Sequence, residues 1–172
     1  MPKPTASNRI AIIGPSSSGK STLAGNLSHM LEAPVLHLDQ LAHIPHSNWK
    51  RQPSDFIVLE QRKFMLDNER WIIEGNYSVC MPERFDHADT VIWCDPSLAG
   101  CIYRYIKRCI EGDKNRAGAL DGAKGEFSIE LIKFTLNTYP KNKLKYANLI
   151  AQAPHLKLLH LKTFKDIKQF KL

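Results

Sequence analysis

Five residues near the start of the chain, Arg9-Ile10-Ala11-Ile12-Ile13, run without a break into the octapeptide Gly14-Pro15-Ser16-Ser17-Ser18-Gly19-Lys20-Ser21. A short apolar run ending at a glycine reads as a buried strand. Past the octapeptide, Leu23, Leu27, Met30 and Leu31 recur at helical spacing between Lys20 and Leu31, which predicts an amphipathic helix. A strand that passes through a glycine-bearing loop straight into a helix commits the chain to an α/β arrangement.

The octapeptide fits the pattern G-x-x-x-x-G-K-[ST] without a gap, and each residue type in it has a separable reason. Gly14 and Gly19 permit backbone conformations that a side chain would penalise. The loop, spanning Pro15, Ser16, Ser17 and Ser18, can then turn several N–H groups inward as a nest for phosphate oxygens, at the positive end of a helix. Lys20 supplies an ammonium for the β- and γ-phosphates, Ser21 a hydroxyl for Mg²⁺, and Thr22 a contact to the α-phosphate. The expected cofactors are therefore ATP and Mg²⁺. The motif fixes phosphate binding and leaves open what becomes of the phosphate.

The remaining chain continues the alternation of strands and helices. Pro34 stops the first helix, and Val35-Leu36-His37-Leu38 reads as a second strand. Asp39 to Pro53 reads as a loop, with Pro45, Ser47, Asn48 and Pro53 as breakers. Ser54 reads as the N-cap of a helix carrying Phe56, Leu59, Phe64 and Leu66. Strands follow at Trp71-Ile72-Ile73, before Glu74-Gly75-Asn76, and at Thr90 to Cys94, ended by Asp95-Pro96. A helix is expected from about Ser97 to Ile110, then a glycine-rich, charged, lid-like segment from Glu111 to Gly125. Helical patterns resume at Phe127 with a break near Pro140, then a strand from Leu156 to Leu161 and a short helix from Phe164 to Phe170. At 172 residues the chain fits one domain able to bury its core without disulfides.

No apolar run reaches the roughly 18 residues of a membrane span, and the start of the chain has no apolar core of a signal peptide. A cytoplasmic location is expected. The four cysteines, Cys80, Cys94, Cys101 and Cys109, form no Cys-x-x-Cys pair and read as reduced thiols. The net charge of +7 suits polyphosphate ligands and nucleic acid alike.

In a parallel sheet the loops after the strands gather on one edge, where ligands bind. Asp39 and Glu74 are the carboxylates placed there to assist Mg²⁺ or to take a proton from a substrate hydroxyl; a cap or solvated turn is the plainer account of each. Asp95, before Pro96, reads as a turn or cap residue. Arg104 and Arg108 stand four apart on one helix face, just before a segment holding Lys114, Arg116 and Lys124. Arginines so placed can neutralise the charge that phosphoryl transfer spreads over equatorial oxygens. His37, Asp39, His43 and His46 fit no common metal-ligand spacing. Trp49 and Tyr77 read as pocket-lining residues or as loop anchors.

Taken together, these residues resemble the adenylate kinase-like P-loop kinases. The segments from Arg70 to Tyr77 (Arg-Trp-Ile-Ile-Glu-Gly-Asn-Tyr) and from Asp89 to Trp93, with His37-Leu38-Asp39 and Arg104 to Arg108, resemble more narrowly a small bacterial family of DNA topology modulation proteins. The resemblance implies a three-layer α/β/α fold, with a five-stranded parallel sheet in the order 2-3-1-4-5 and a lid. It implies Arg104 and Arg108 as lid-base arginines acting on ATP, and residues Lys162 to Lys165 near the adenine. His43 stands where that family has an aromatic residue, and Lys162 where it has an arginine.

The expected activity is transfer of the γ-phosphoryl of ATP to a small acceptor, with Lys20, Arg104, Arg108 and Asp39 as catalytic residues and Ser21 and Glu74 at the metal. The acceptor is a nucleoside monophosphate or another small hydroxyl or phosphate compound, and the resemblance favours a monomer. The rival reading is a nucleotide-binding regulator of DNA topology that uses ATP as a switch. Against it, the sequence shows no DNA-reading helix pair, zinc module or long basic run.

Overall fold

The computed structural model describes residues 8–47, 50–111 and 127–172. Strand β1 (Arg9–Ile13) is the centre of the sheet, because Ile10, Ala11, Ile12 and Ile13 are all buried and an apolar run of this kind must be covered on both faces. Around it lie β2 (Val35–His37), β3 (Trp71–Glu74), β4 (Thr90–Cys94) and β5 (Lys157–Leu161), in the order β2-β3-β1-β4-β5. Every pairing is parallel. The strand order expected from the resemblance is thus the one observed.

Side chains alternate across β1 and divide the core into two layers. Ile10 and Ile12 pack with Leu23, Ala24 and Leu27 of α1 (Lys20–Leu31) and Ile167 of α7 (Phe164–Gln169). Ala11 and Ile13 face the other way, toward a core that includes α3 (Ser54–Asp67), α4 (Met81–His87) and Tyr146 of α6 (Ile129–Ala151). This is a three-layer α/β/α architecture. Helix α5 (Leu98–Glu111) buries Cys101 and Tyr105, and the Tyr105 hydroxyl accepts from the Ser128 N–H at the start of α6.

Four local expectations need correction. Asp39 to Pro53 is not all loop: α2 (Leu38–Ala42) follows β2 directly, because Leu38 and Ala42, four apart, both bury into the core. The breakers act only beyond it, where His43 and Arg51 form an antiparallel bridge. Ser54 is the first residue of α3, and Pro53 holds the cap position without a side-chain bond. Helix α4, in a stretch with no assigned pattern, starts with proline in its first turn, where the missing N–H is not needed. Helix α6 runs through Pro140 without ending; the buried side chains of Tyr139 and Tyr146 on either side anchor it across the gap in its ladder.

Candidate functional site

The octapeptide adopts the geometry its glycines allow. Gly14 has φ +145° and Gly19 φ +104°, and Ser17 joins them in the left-handed region at φ 62°. At Gly14 a Cβ would lie 2.1 Å from the carbonyl oxygen of Cys94, so β4 itself excludes any side chain there. Gly19 occupies the cap of α1 with no side-chain cap bond, which leaves the helix's first N–H groups available to an anion. Lys20 is folded into the loop, only 9% exposed, with Nζ donating to the Pro15 carbonyl at 3.0 Å. The hydroxyls of Ser17 and Ser18 are buried without partners among the described residues.

Three strand ends meet beside this loop. Register sets His37 of β2 opposite Glu74 of β3, and Glu74 opposite Ile12 of β1. Glu74 is 1% exposed; its Oε1 accepts from Ser21 Oγ at 2.9 Å and lies 2.9 Å from His37 Nδ1. Burial pushes the Glu74 carboxyl up, but the His37 hydrogen bond, the Lys20 charge and the Ser21 hydroxyl outweigh it and hold the group below its ordinary value. Its second oxygen, Oε2, is buried with no protein partner among the described residues. A carboxylate with a spare buried oxygen beside a serine hydroxyl is a hard-oxygen donor set of the kind Mg²⁺ takes, so Ser21 and Glu74 fit that ion.

Asp39 stands apart from this junction. It lies in the first turn of α2 and accepts from the Tyr77 hydroxyl at 3.1 Å. Burial, then the Asp39 charge and this bond, push the Tyr77 phenol up, so it donates throughout the neutral range. Of the two carboxylates read from the sequence, Asp39 as catalytic and Glu74 at the metal, the structure brings Glu74 to the Ser21 hydroxyl and gives Asp39 to Tyr77.

Arg104 and Arg108 lie on α5. Arg104 is exposed and lies over the Phe164 ring at 4.8 Å, at the start of α7. Arg108 lies over Tyr105 at 5.4 Å, and Tyr105, with Cys101, Leu131 and Thr135, lines a small cleft against Ser16 and Ser17. Thr22 is exposed on α1. The lid-like residues 112–125, with Lys114, Arg116 and Lys124, lie outside the described residues, as does Trp49.

Two residues matter more than their sequence positions indicated. Asp95 is no surface turn former: it is buried and accepts from Tyr139 Oη and from Lys143 Nζ at 2.9 Å, both on α6, and sits 3.0 Å from His160 Nε2 on β5. His160 in turn stacks on Trp93 at 4.6 Å. Asn76, one residue past the Glu74-Gly75 turn, pairs with Gly14 through both ends of its amide. The one sequence signal for Asn76 is its place just after a strand end.

No protein-family model matches the sequence, and no curated protein matches it. Solved structures do. A gluconokinase from Sinorhizobium meliloti 1021 superposes over 93% of this chain and 86% of its own, with a TM-score of 0.53 and 13% identity. A shikimate kinase from Bacteroides thetaiotaomicron covers 95% of this chain and 90% of its own, with a TM-score of 0.51 and 15% identity. The likeness is one of fold. The architecture is a P-loop kinase-like α/β fold, and among the described residues no helix is long and apolar enough to cross a membrane.

Proposed function

We propose that the chain is an ATP-dependent phosphotransferase that moves the γ-phosphoryl group of ATP to a small acceptor. The observation that carries this reading is the junction of Lys20, Ser21, Glu74 and His37, where the phosphate loop meets a buried carboxylate. Two structures of the same fold bear the names of kinases.

In this reading the N–H groups of the loop and of the α1 start cradle the phosphates, and the Lys20 ammonium lies within their reach. Ser21 and Glu74 would hold Mg²⁺, which would offset negative charge on the bound phosphates. Asp39, held by Tyr77 on the α2 side, is the group that takes the proton from an acceptor hydroxyl. Arg104 and Arg108 stabilise the charge that develops during transfer. The single domain, with residues 111–125 as its lid, binds the acceptor between α2 and the loop after β3, and works as a monomer in the cytoplasm.

ADP formation from Mg-ATP, measured against a panel of nucleoside monophosphates and small hydroxy compounds, tests the reading. At least one acceptor is expected to raise ADP formation well above the rate without acceptor. A rate independent of every compound, with ATP bound, would leave a nucleotide switch in place of a kinase.

A further inference from the structure

Gly14 is the first residue beyond the β1 ladder, whose last paired residue is Ile13. Its N–H and C=O therefore lose their strand partners where the chain must turn into the phosphate loop, in a buried position where unpaired backbone groups are costly. Asn76 supplies both partners. Its Oδ1 accepts from the Gly14 N–H at 3.0 Å and its Nδ2 donates to the Gly14 carbonyl. A carboxamide is the side chain that carries the donor and acceptor of a peptide group, and only this orientation of the amide satisfies both contacts.

Asn76 is itself fixed from below. The Gly75 N–H donates to the Ile12 carbonyl at 3.1 Å, and the Gly75 carbonyl accepts from Nη2 of Arg84 at 3.0 Å. Arg84 is fully buried, so its bond cannot be traded for water without opening the core. A Cβ on Gly75, at φ +131°, would lie 2.9 Å from Leu38 Cβ. On either side of this point Glu74 holds Ser21 and Tyr77 holds Asp39. One four-residue segment thus touches the start and the end of the phosphate loop and the acceptor-side helix.

We infer that Asn76 is a positioning residue for nucleotide binding: it sets the conformation of the first turn of the phosphate loop by acting as a surrogate strand partner for Gly14. The inference rests on the nucleotide-site reading above and touches no reacting atom.

The test is binding of ADP and of adenosine to the full chain, by calorimetry and competition, with the thermal midpoint recorded alongside. Asn76→Asp keeps the size and the acceptor but sets a carboxylate oxygen against the Gly14 carbonyl; Asn76→Ser, too short to span both groups, serves if the first variant does not fold. Both are expected to weaken ADP about tenfold, the scale of one or two lost hydrogen bonds, while adenosine, which has no phosphate to place in the loop, stays within about twofold of wild type. ADP affinity within about twofold of wild type in both variants would overturn the inference, and so would equal losses for ADP and adenosine, which mark general support of the fold. A wild-type chain without affinity for ADP would overturn the nucleotide reading and this inference with it.

Discussion

Glu74 is held against Ser21, His37 and Lys20, and its titration follows from that company. The sum of those contacts lowers its pKa, so the folded state favours the ionised form more than the unfolded state does. The stability this contributes is fully present above the ordinary glutamate value of 4.5 and is lost as pH falls through the lower folded value. Glu74→Gln, which cannot ionise, is expected to lie below wild type in thermal midpoint by a constant gap at neutral pH. The gap should close in acid. A gap that persists unchanged in acid would mean that the carboxylate charge is not what the site holds. The cysteines give a second residue-scale outcome. Burial pushes the Cys94 thiol up to about 12 and Cys101 to about 11, and raises Cys80 as well. Alkylation near pH 8 followed by mass spectrometry should therefore label Cys109, the half-buried thiol, well before these three.

At the scale of elements, α6 is fastened at its middle. Tyr139 and Lys143 bracket Pro140, and both bond Asp95 at the end of β4. Asp95→Ala removes the acceptor for these two groups and for His160, and is expected to lower stability by about 2–4 kcal/mol in denaturant unfolding. Pro140→Ala restores the N–H that a continuous helix lacks at that position and should raise stability, by up to about 3 kcal/mol; a loss would show that the fold needs the proline's stiffness there. Neither element was fully readable from sequence. Pro140 signalled a break because local propensity was weighed without the tertiary bonds on either side. Helix α2 was hidden for the opposite reason: five residues give too short a pattern to set against the prolines and serines that follow. The strands read better: β1, β3 and β4 are buried runs whose apolar character has no local competitor.

For the whole molecule, the phosphate loop and the five-strand order were legible, the first from a gapless pattern and the second from the resemblance that the Arg70–Tyr77 and Asp89–Trp93 segments carry. Partnerships across the sheet edge were not. Asn76 reaches Gly14 across 62 positions, and Asp95 reaches Tyr139 across 44 and His160 across 65. Side chains that distant in sequence meet only because parallel strands deliver their ends to one edge. The same delivery brings Glu74 at the end of β3 to Ser21 and to His37 at the end of β2, while Tyr77, three residues on, bonds Asp39 of α2. The proposed function requires a phosphoryl group to pass from ATP, held at the loop, to an acceptor. The most direct measurement is mass spectrometry of the acceptor after incubation with Mg-ATP and either the wild-type chain or Lys20→Ala. An acceptor carrying one added phosphoryl group is expected with the wild type, and a loss of at least about 100-fold in its rate of formation with the variant, on the scale of removing one transition-state charge partner. Equal product from both proteins, or ATP consumed by the wild type with no phosphorylated acceptor, would contradict it.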